Sequence, residues 1–206
     1  GTGLGIARGY TNKNQIIDMP SEGGHKEFSA RSEIEWSFVN WLKKNLDIER
    51  VSQERIISGT GIGHIAHWRI NQPDGLSHPL REQFESVKDG DLHISTLPEL
   101  VTKAANKGDP LMKEVLEIWI SALGSASGDL ALHELCDNGL WIAGGASTKQ
   151  IKRLASKEFI ESFQNKGRFR SYLSKIPVAV ITDPEIGIFS SACKGGLLAK
   201  SNERLI

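Results

Sequence analysis

Cysteine is scarce in this chain: Cys136 and Cys193 are the only two in 206 residues. They lie far apart and outside any Cys-x-x-Cys pair, which excludes a cysteine-rich zinc site and argues against a disulfide framework, so a reducing cytosol is the simple expectation. An excess of charge is missing too, because 25 Lys and Arg balance 25 Asp and Glu. That removes the electrostatic footprint of a nucleic-acid binder or of a protein held on an anionic membrane, and leaves a small molecule or another protein as the expected partner. No apolar run approaches the roughly 18 residues of a membrane span, since even Val115 to Ala122 is broken by Glu117, and no signal-peptide pattern is present. No repeat of fixed period occurs either. The chain opens on Gly1-Thr2-Gly3-Leu4-Gly5 without an initiator Met, inside what reads as a loop, so a fragment is expected.

What is present is ordinary globular usage, 39% hydrophobic and 24% charged, enough for one substantial core. Residues 4–10 and 15–19 read as a hairpin around the polar turn 11–14, with Pro20 expected to end its second strand. Ser32-Glu33-Ile34-Glu35 matches a capping box and predicts a helix over 32–46 with Ile34, Trp36, Phe38, Val39, Trp41, Leu42 and Leu46 on its apolar face. A second helix is expected over 62–70, a loop over 71–90, and a helix over 97–107 capped by Ser95. Asp109-Pro110 opens the strongest helical pattern, which runs to about residue 136. Leu140 to Ala143 reads as a buried strand closed by Gly144-Gly145, with Ser147 or Thr148 capping the next helix. A last strand over 177–182 and a terminal helix over 185–198 complete a mixed α/β pattern.

Four segments can carry chemistry. Alternating glycines in Gly1-Thr2-Gly3-Leu4-Gly5 let successive N–H groups converge on a phosphate oxygen, although the same pattern serves a plain turn and matches neither a Walker loop nor GxGxxG. In Ser21-Glu22-Gly23-Gly24-His25 the paired glycines bring backbone close to a ligand, while Glu22 and His25 offer the hydrogen bonds a polyhydroxylated sugar needs. Taken alone, those residues fit a solvent-facing loop better. Glu54 is a candidate second carboxylate. Gly144 and Gly145, at the end of a buried strand, leave room for a flat purine or for a simple corner. His64 and His67, three apart on a helix, lack the further ligands a zinc site requires.

Taken in this order, the segments resemble the bacterial, non-ROK glucokinase family, and the resemblance runs the length of the chain. GTGLG is similar to that family's second phosphate loop, SEGGH to its sugar loop, VSQERIISGTG to the stretch bearing another sugar-contacting Glu, and WIAGGA to its adenosine motif. Lys166-Gly167-Arg168-Phe169 and Ile176-Pro177-Val178 resemble its C-terminal part. The resemblance implies the large, C-terminal domain of a sugar-kinase, heat-shock and actin-like ATPase (ribonuclease H-like) α/β fold, a mixed sheet with flanking helices. It implies a body over 1–183 and a terminal helix over 184–206 that packs on a missing small N-terminal domain. Glu22, His25 and Glu54 would bind glucose, Gly1, Thr2 and Gly3 the ATP phosphates, and Gly144 and Gly145 the adenosine, with Mg²⁺ accompanying ATP. The family's first phosphate loop and the Asn-Asp pair supplying its catalytic base do not occur in these residues, so the chain alone is expected to be inactive. The stretch Gly61-Ile62-Gly63-His64 stands where the family is more apolar. Two other classes remain: a silent sugar or nucleotide module, and an assembly domain that uses helix faces such as those of Trp36 and Trp41 as its interface; separately, the apolar face of the terminal helix is expected to be relieved by dimerisation or disorder.

Overall fold

The computed structural model describes residues 3–12, 15–88 and 92–203. Strands β1 (Ile6–Asn12) and β2 (Gln15–Ser21) pair antiparallel, with Ile6 opposite Ser21 and Ala7 opposite Pro20. Pro20 therefore lies within β2 rather than ending it, a position open to proline only where no ladder donor is needed. A single 3₁₀ turn, Gly23–His25, follows the hairpin.

Helix α1 spans Glu33–Leu46, and the Ser32 hydroxyl accepts a hydrogen bond from the Glu35 amide as an N-cap should. The Glu35 carboxylate reaches back to the Arg31 amide at 2.7 Å and pairs with the Arg31 guanidinium, which in turn donates to the Ser121 carbonyl at 3.0 Å. Buried Glu35 is thus fully compensated. The buried stripe is Glu35, Phe38, Val39 and Leu42. Ile34 and Trp36, expected on that face, are 49% and 60% exposed because they sit off the stripe.

A short turn of helix α2 (Glu54–Ile57) leads into α3 (Gly59–Ile70), which is buried almost all round. The expected loop over 71–90 instead contains a 3₁₀ turn at Pro73–Gly75 and helix α4 (Arg81–Lys88). The turn is pinned by Arg69, whose guanidinium forks onto Asp74 at 2.7 Å and 2.7 Å and donates to Glu114 at 2.8 Å. Helix α5 (Leu97–Asn106) carries Pro98 in its first turn. Ser95 does not cap it, since its hydroxyl and amide bond the His93 ring.

The centre of the fold is α6 (Pro110–Glu134), capped by Asp109 through the Met112 amide at 3.0 Å. Burial would raise the Asp109 carboxyl, but the Met112 amide and the His78 ring outweigh it and hold it below the usual range. Helix α6 is long and apolar enough to cross a membrane by length and composition, contrary to the reading of the sequence, yet 61% of that window is buried against protein. It packs on α3, α5 and the later helix Lys157–Gln164.

Strand β3 (Leu140–Ile142) is followed by α7 (Gly145–Lys149), α8 (Ile151–Leu154), α9 (Lys157–Gln164) and α10 (Arg170–Leu173). Strand β4 (Val178–Val180) then pairs parallel to β3. Neither Ser147 nor Thr148 caps α7, which starts directly at the glycine pair. Terminal helix α11 (Ile186–Glu203) leaves Ile188, Phe189 and Leu197 more than 60% exposed, and Lys194 ties it to Asp18 of the hairpin. Among the described residues the expected mixed sheet is two separate two-stranded sheets, and helices supply most of the core.

His64, buried in α3, has its imidazole pushed down to about 4 by burial first, then by Arg55 and His67. Its folded value lies below the unfolded one, so the unfolded chain binds the extra proton between these values and stability rises with pH across that window. Stability against urea should therefore fall by roughly 3 kcal/mol from pH 7 to below pH 4 on account of this group alone. Comparing the pH slope with that of a His64→Gln variant checks this, and an unchanged slope would refute it.

Candidate functional site

Three segments that are far apart in sequence meet at the start of β1. The Leu4 amide donates to the Glu54 carboxylate at 2.9 Å, so the glycine turn is tied to the first residue of α2. A Cβ on Gly3 would lie 2.6 Å from the same carboxylate oxygen. Gly24 backs onto this turn so closely that a Cβ there would stand 2.1 Å from the Leu4 carbonyl oxygen, which only glycine allows.

The loop around Glu22 is held from both sides. The Ser21 hydroxyl donates to the Ile6 carbonyl at 2.9 Å and accepts from the Gly23 amide at 3.2 Å. Downstream, Lys26 to Phe28 runs beside Val51 to Gln53, with Gln53 N–H to the Lys26 carbonyl at 2.8 Å and Phe28 N–H to the Val51 carbonyl at 2.9 Å. This pairing brings the loop alongside Glu54. Glu22 and His25 then project outward, 92% and 55% exposed, with His25 Nε2 and Glu22 Oε2 3.7 Å apart. Arg50 donates to the His25 carbonyl at 2.8 Å and steadies the turn.

Beside this rim a cavity of about 170 Å³ opens between the two sheets. Gly3 and Gly5 line one wall, Gly144 and Gly145 the other, and α6 forms the floor. Gly144 has φ of 111°, a conformation that disfavours any side chain, and it turns the chain sharply at the end of β3. Gly1 and Thr2 lie outside the described residues. The structure thus brings Gly3, Glu54, Gly144 and Gly145 to one region, with Glu22 and His25 on its edge.

Reading the sequence did not nominate Ser58 and Gly59, which line the same cavity. The Ser58 carbonyl accepts from the buried Trp119 indole at 3.1 Å, and its hydroxyl accepts from the Gly61 amide at 3.2 Å and bonds the Thr60 hydroxyl at 2.9 Å. The Ser-Gly-Thr-Gly pattern was their only signal. His64 and His67 sit within α3, where the His67 ring packs against Trp41 and Phe84.

The family profile of glucokinase matches residues 1–195. The chain belongs to the glucokinase family. The glucokinase of Nostoc punctiforme is 33% identical over 199 residues, and that of Pectobacterium atrosepticum 29% over 191; each match covers 93% of this chain. The match covers 58% of the first relative and 54% of the second, so the chain spans little more than half their length. The crystal structure of a glucokinase from an Antarctic psychrotroph superposes with a TM-score of 0.69 at 28% identity, over 90% of this chain and 52% of that one. A Balamuthia mandrillaris glucokinase, solved in complex with glucose, superposes at 0.72 with 18% identity, over 89% and 48%, and speaks to the fold alone. The described residues accordingly share the actin-like ATPase fold of glucokinases.

Gly24→Ala must push Leu4 off its seat or break its bond to Glu54. We expect a loss of about 1–3 kcal/mol in urea unfolding, the usual penalty for overpacking a tight contact. A variant as stable as the parent would mean that the glycine turn can shift freely.

Proposed function

We propose that this chain provides the sugar seat and much of the nucleotide seat of an enzyme that phosphorylates glucose to glucose 6-phosphate with ATP. The observation that carries the proposal is the Leu4 amide bound to the Glu54 carboxylate. It joins the glycine turn, suited to phosphate, to the acids and imidazole suited to sugar hydroxyls, so donor and acceptor substrates meet at one edge.

Glu22, His25 and Glu54 hold glucose hydroxyls in this reading. An ionised carboxylate can accept several hydrogen bonds, so Glu54 can keep the Leu4 amide and still receive a hydroxyl. Glu22 and His25 are exposed and close together, so one hydroxyl can bridge them. Hydroxyl recognition of this kind discriminates against deoxy sugars, because a buried acceptor left without its donor costs about 1–3 kcal/mol. Gly3 faces the ATP phosphates, with Gly1 and Thr2 assigned beside it by family resemblance, and Gly144 and Gly145 face the adenosine. Their fit rests on the cavity walls, where the absence of side chains leaves the main chain open to a ligand.

Mg²⁺ accompanies ATP in the family resemblance and would offset charge on the transferring phosphoryl group. Among the described residues no three carboxylate, imidazole or thiolate groups gather as a metal site, so no Mg²⁺ ligand is assigned to this chain. The catalytic base belongs, by the same resemblance, to an Asn-Asp pair that these residues do not include. The role of this chain is to bind and orient. We further propose that 1–183 forms the ligand-binding body and that α11 packs on the family's smaller domain, a reading supported by its exposed Ile188, Phe189 and Leu197. A homodimer through α11 is the competing arrangement, and a cytoplasmic location follows from the glycolytic role.

In a full-length family protein carrying these residues, Glu22→Gln should weaken glucose binding by about tenfold or more, near 1.4 kcal/mol, while ATP binding stays within about twofold. Calorimetry with each ligand decides it; equal losses for both would remove Glu22 from the sugar seat. The 206-residue chain by itself should form no glucose 6-phosphate in a coupled assay. Robust turnover would show that the base lies within it.

A further inference from the structure

His25 stands on a short turn that its own side chain does little to hold. The imidazole is 55% exposed, so no packed wall sets its direction. The direction of its Cα–Cβ bond, and with it the place where the ring can meet a hydroxyl, is set instead by the peptide groups on either side. On the N-terminal side Gly24 is seated against the Leu4 carbonyl, which fixes the chain there. The C-terminal side is held differently.

His25 N–H donates to the Glu22 carbonyl at 2.9 Å, Lys26 N–H to the Gly23 carbonyl at 3.2 Å, and Gln53 N–H to the Lys26 carbonyl at 2.8 Å. The His25 carbonyl, where the 3₁₀ turn passes into extended chain, accepts from Arg50 Nη1 at 2.8 Å. Three of these four donors are main-chain amides. The guanidinium is the one that a substitution can remove without altering the backbone, and as a charged donor it makes the stronger kind of bond. Arg50 is delivered by the end of α1. There Asp47 turns left-handed, with φ of 52°, and Ile48 N–H bonds the Lys43 carbonyl at 3.0 Å, so that Val51 to Gln53 can run beside Lys26 to Phe28.

We propose that Arg50 is a positioning residue for the sugar, acting through the His25 main chain: it fixes the plane of the His25–Lys26 peptide and so the reach of the imidazole. This rests on the proposed reading of His25 as a glucose ligand. Arg50 lies 25 positions from His25, on the connection that ends at Glu54, so one segment supplies both a sugar carboxylate and the brace for the imidazole. Without the guanidinium the carbonyl turns to water and the peptide plane can rotate, so the ring samples directions that miss its hydroxyl. The loss falls on glucose and not on ATP, and it vanishes where there is no imidazole to aim.

The test is a double-mutant cycle in a full-length family protein carrying these residues. Glucose and ATP affinities are measured by calorimetry for the parent, Arg50→Met, His25→Ala and the double variant. Arg50→Met keeps an aliphatic stem and removes every donor. It should weaken glucose binding about three- to tenfold, leave ATP binding within about twofold, and move Tm by no more than about 2 °C. In the His25→Ala background the same substitution should change glucose affinity by less than about twofold. Additive effects, an ATP affinity that falls together with that for glucose, or an unchanged glucose affinity in Arg50→Met would each overturn the proposal. Where His25→Ala leaves no measurable glucose binding, the Lys26 amide decides, since it shares its peptide plane with the His25 carbonyl. It should exchange at least about threefold faster in Arg50→Met, and an unchanged rate overturns the proposal. If His25→Ala alone leaves glucose affinity intact, the sugar seat is misassigned and the role of Arg50 falls with it. A weakened His25→Ala beside an unaffected Arg50→Met strikes Arg50 only.

Discussion

One carboxylate, that of Glu54, holds together what the chain separates by 50 positions. Its bond to the Leu4 amide fixes the approach to β1 against the start of α2. The fit of the Leu4 carbonyl against Gly24 then leaves no room for the neighbouring loop to drift. A backbone N–H on an ionised acceptor is among the stronger hydrogen bonds a protein makes, and here it is partly shielded from water. The Glu22 loop, the glycine turn and α2 are thus packed as one unit.

The polar groups around that unit are divided by burial. Charges at the rim remain wet, and among the described residues none lines the cavity beside it. Deeper in the fold the buried Glu35 and Arg69 are matched: Glu35 by Arg31, and Arg69 by Asp74 and Glu114, which together hold the guanidinium well above its ordinary value. Arg69 also explains why residues after α3 do not wander. Its fork closes the Pro73–Gly75 turn, and α6 gains a tie to the same side chain through Glu114. Removing one partner of such a set leaves an uncompensated buried charge, which is far more damaging than the pair is stabilising.

Locally encoded features were legible in the sequence and distant ones were not. Ser32 and Asp109 announce their helices because capping is a contact over three residues, and the apolar period of α6 is long enough to be unmistakable. Helix α4 escaped notice because, among its described residues, Phe84 alone is deeply buried, leaving no stripe to read. Trp36 misled because an aromatic side chain on a helix suggests core, while the spacing from Phe38 and Leu42 places it outside. For the site, glycine patterns and hydroxyl-binding side chains could be singled out, and the family resemblance put them in order. Their convergence is a property of tertiary contacts: nothing local to Leu4 reports that its amide will meet Glu54, or that Gly24 will lie beneath its carbonyl. Ser58 was overlooked for the same reason, since its importance comes from Trp119, 61 positions away.

Pro20 carries a consequence for how molecules of this protein meet one another. With the ring nitrogen on the outer rim of β2, that rim is short of a donor where an incoming backbone would seek one, and Asp18 beside it adds a charge. Stacking of copies flank to flank, the route by which bare strands seed insoluble fibres, is discouraged along β2.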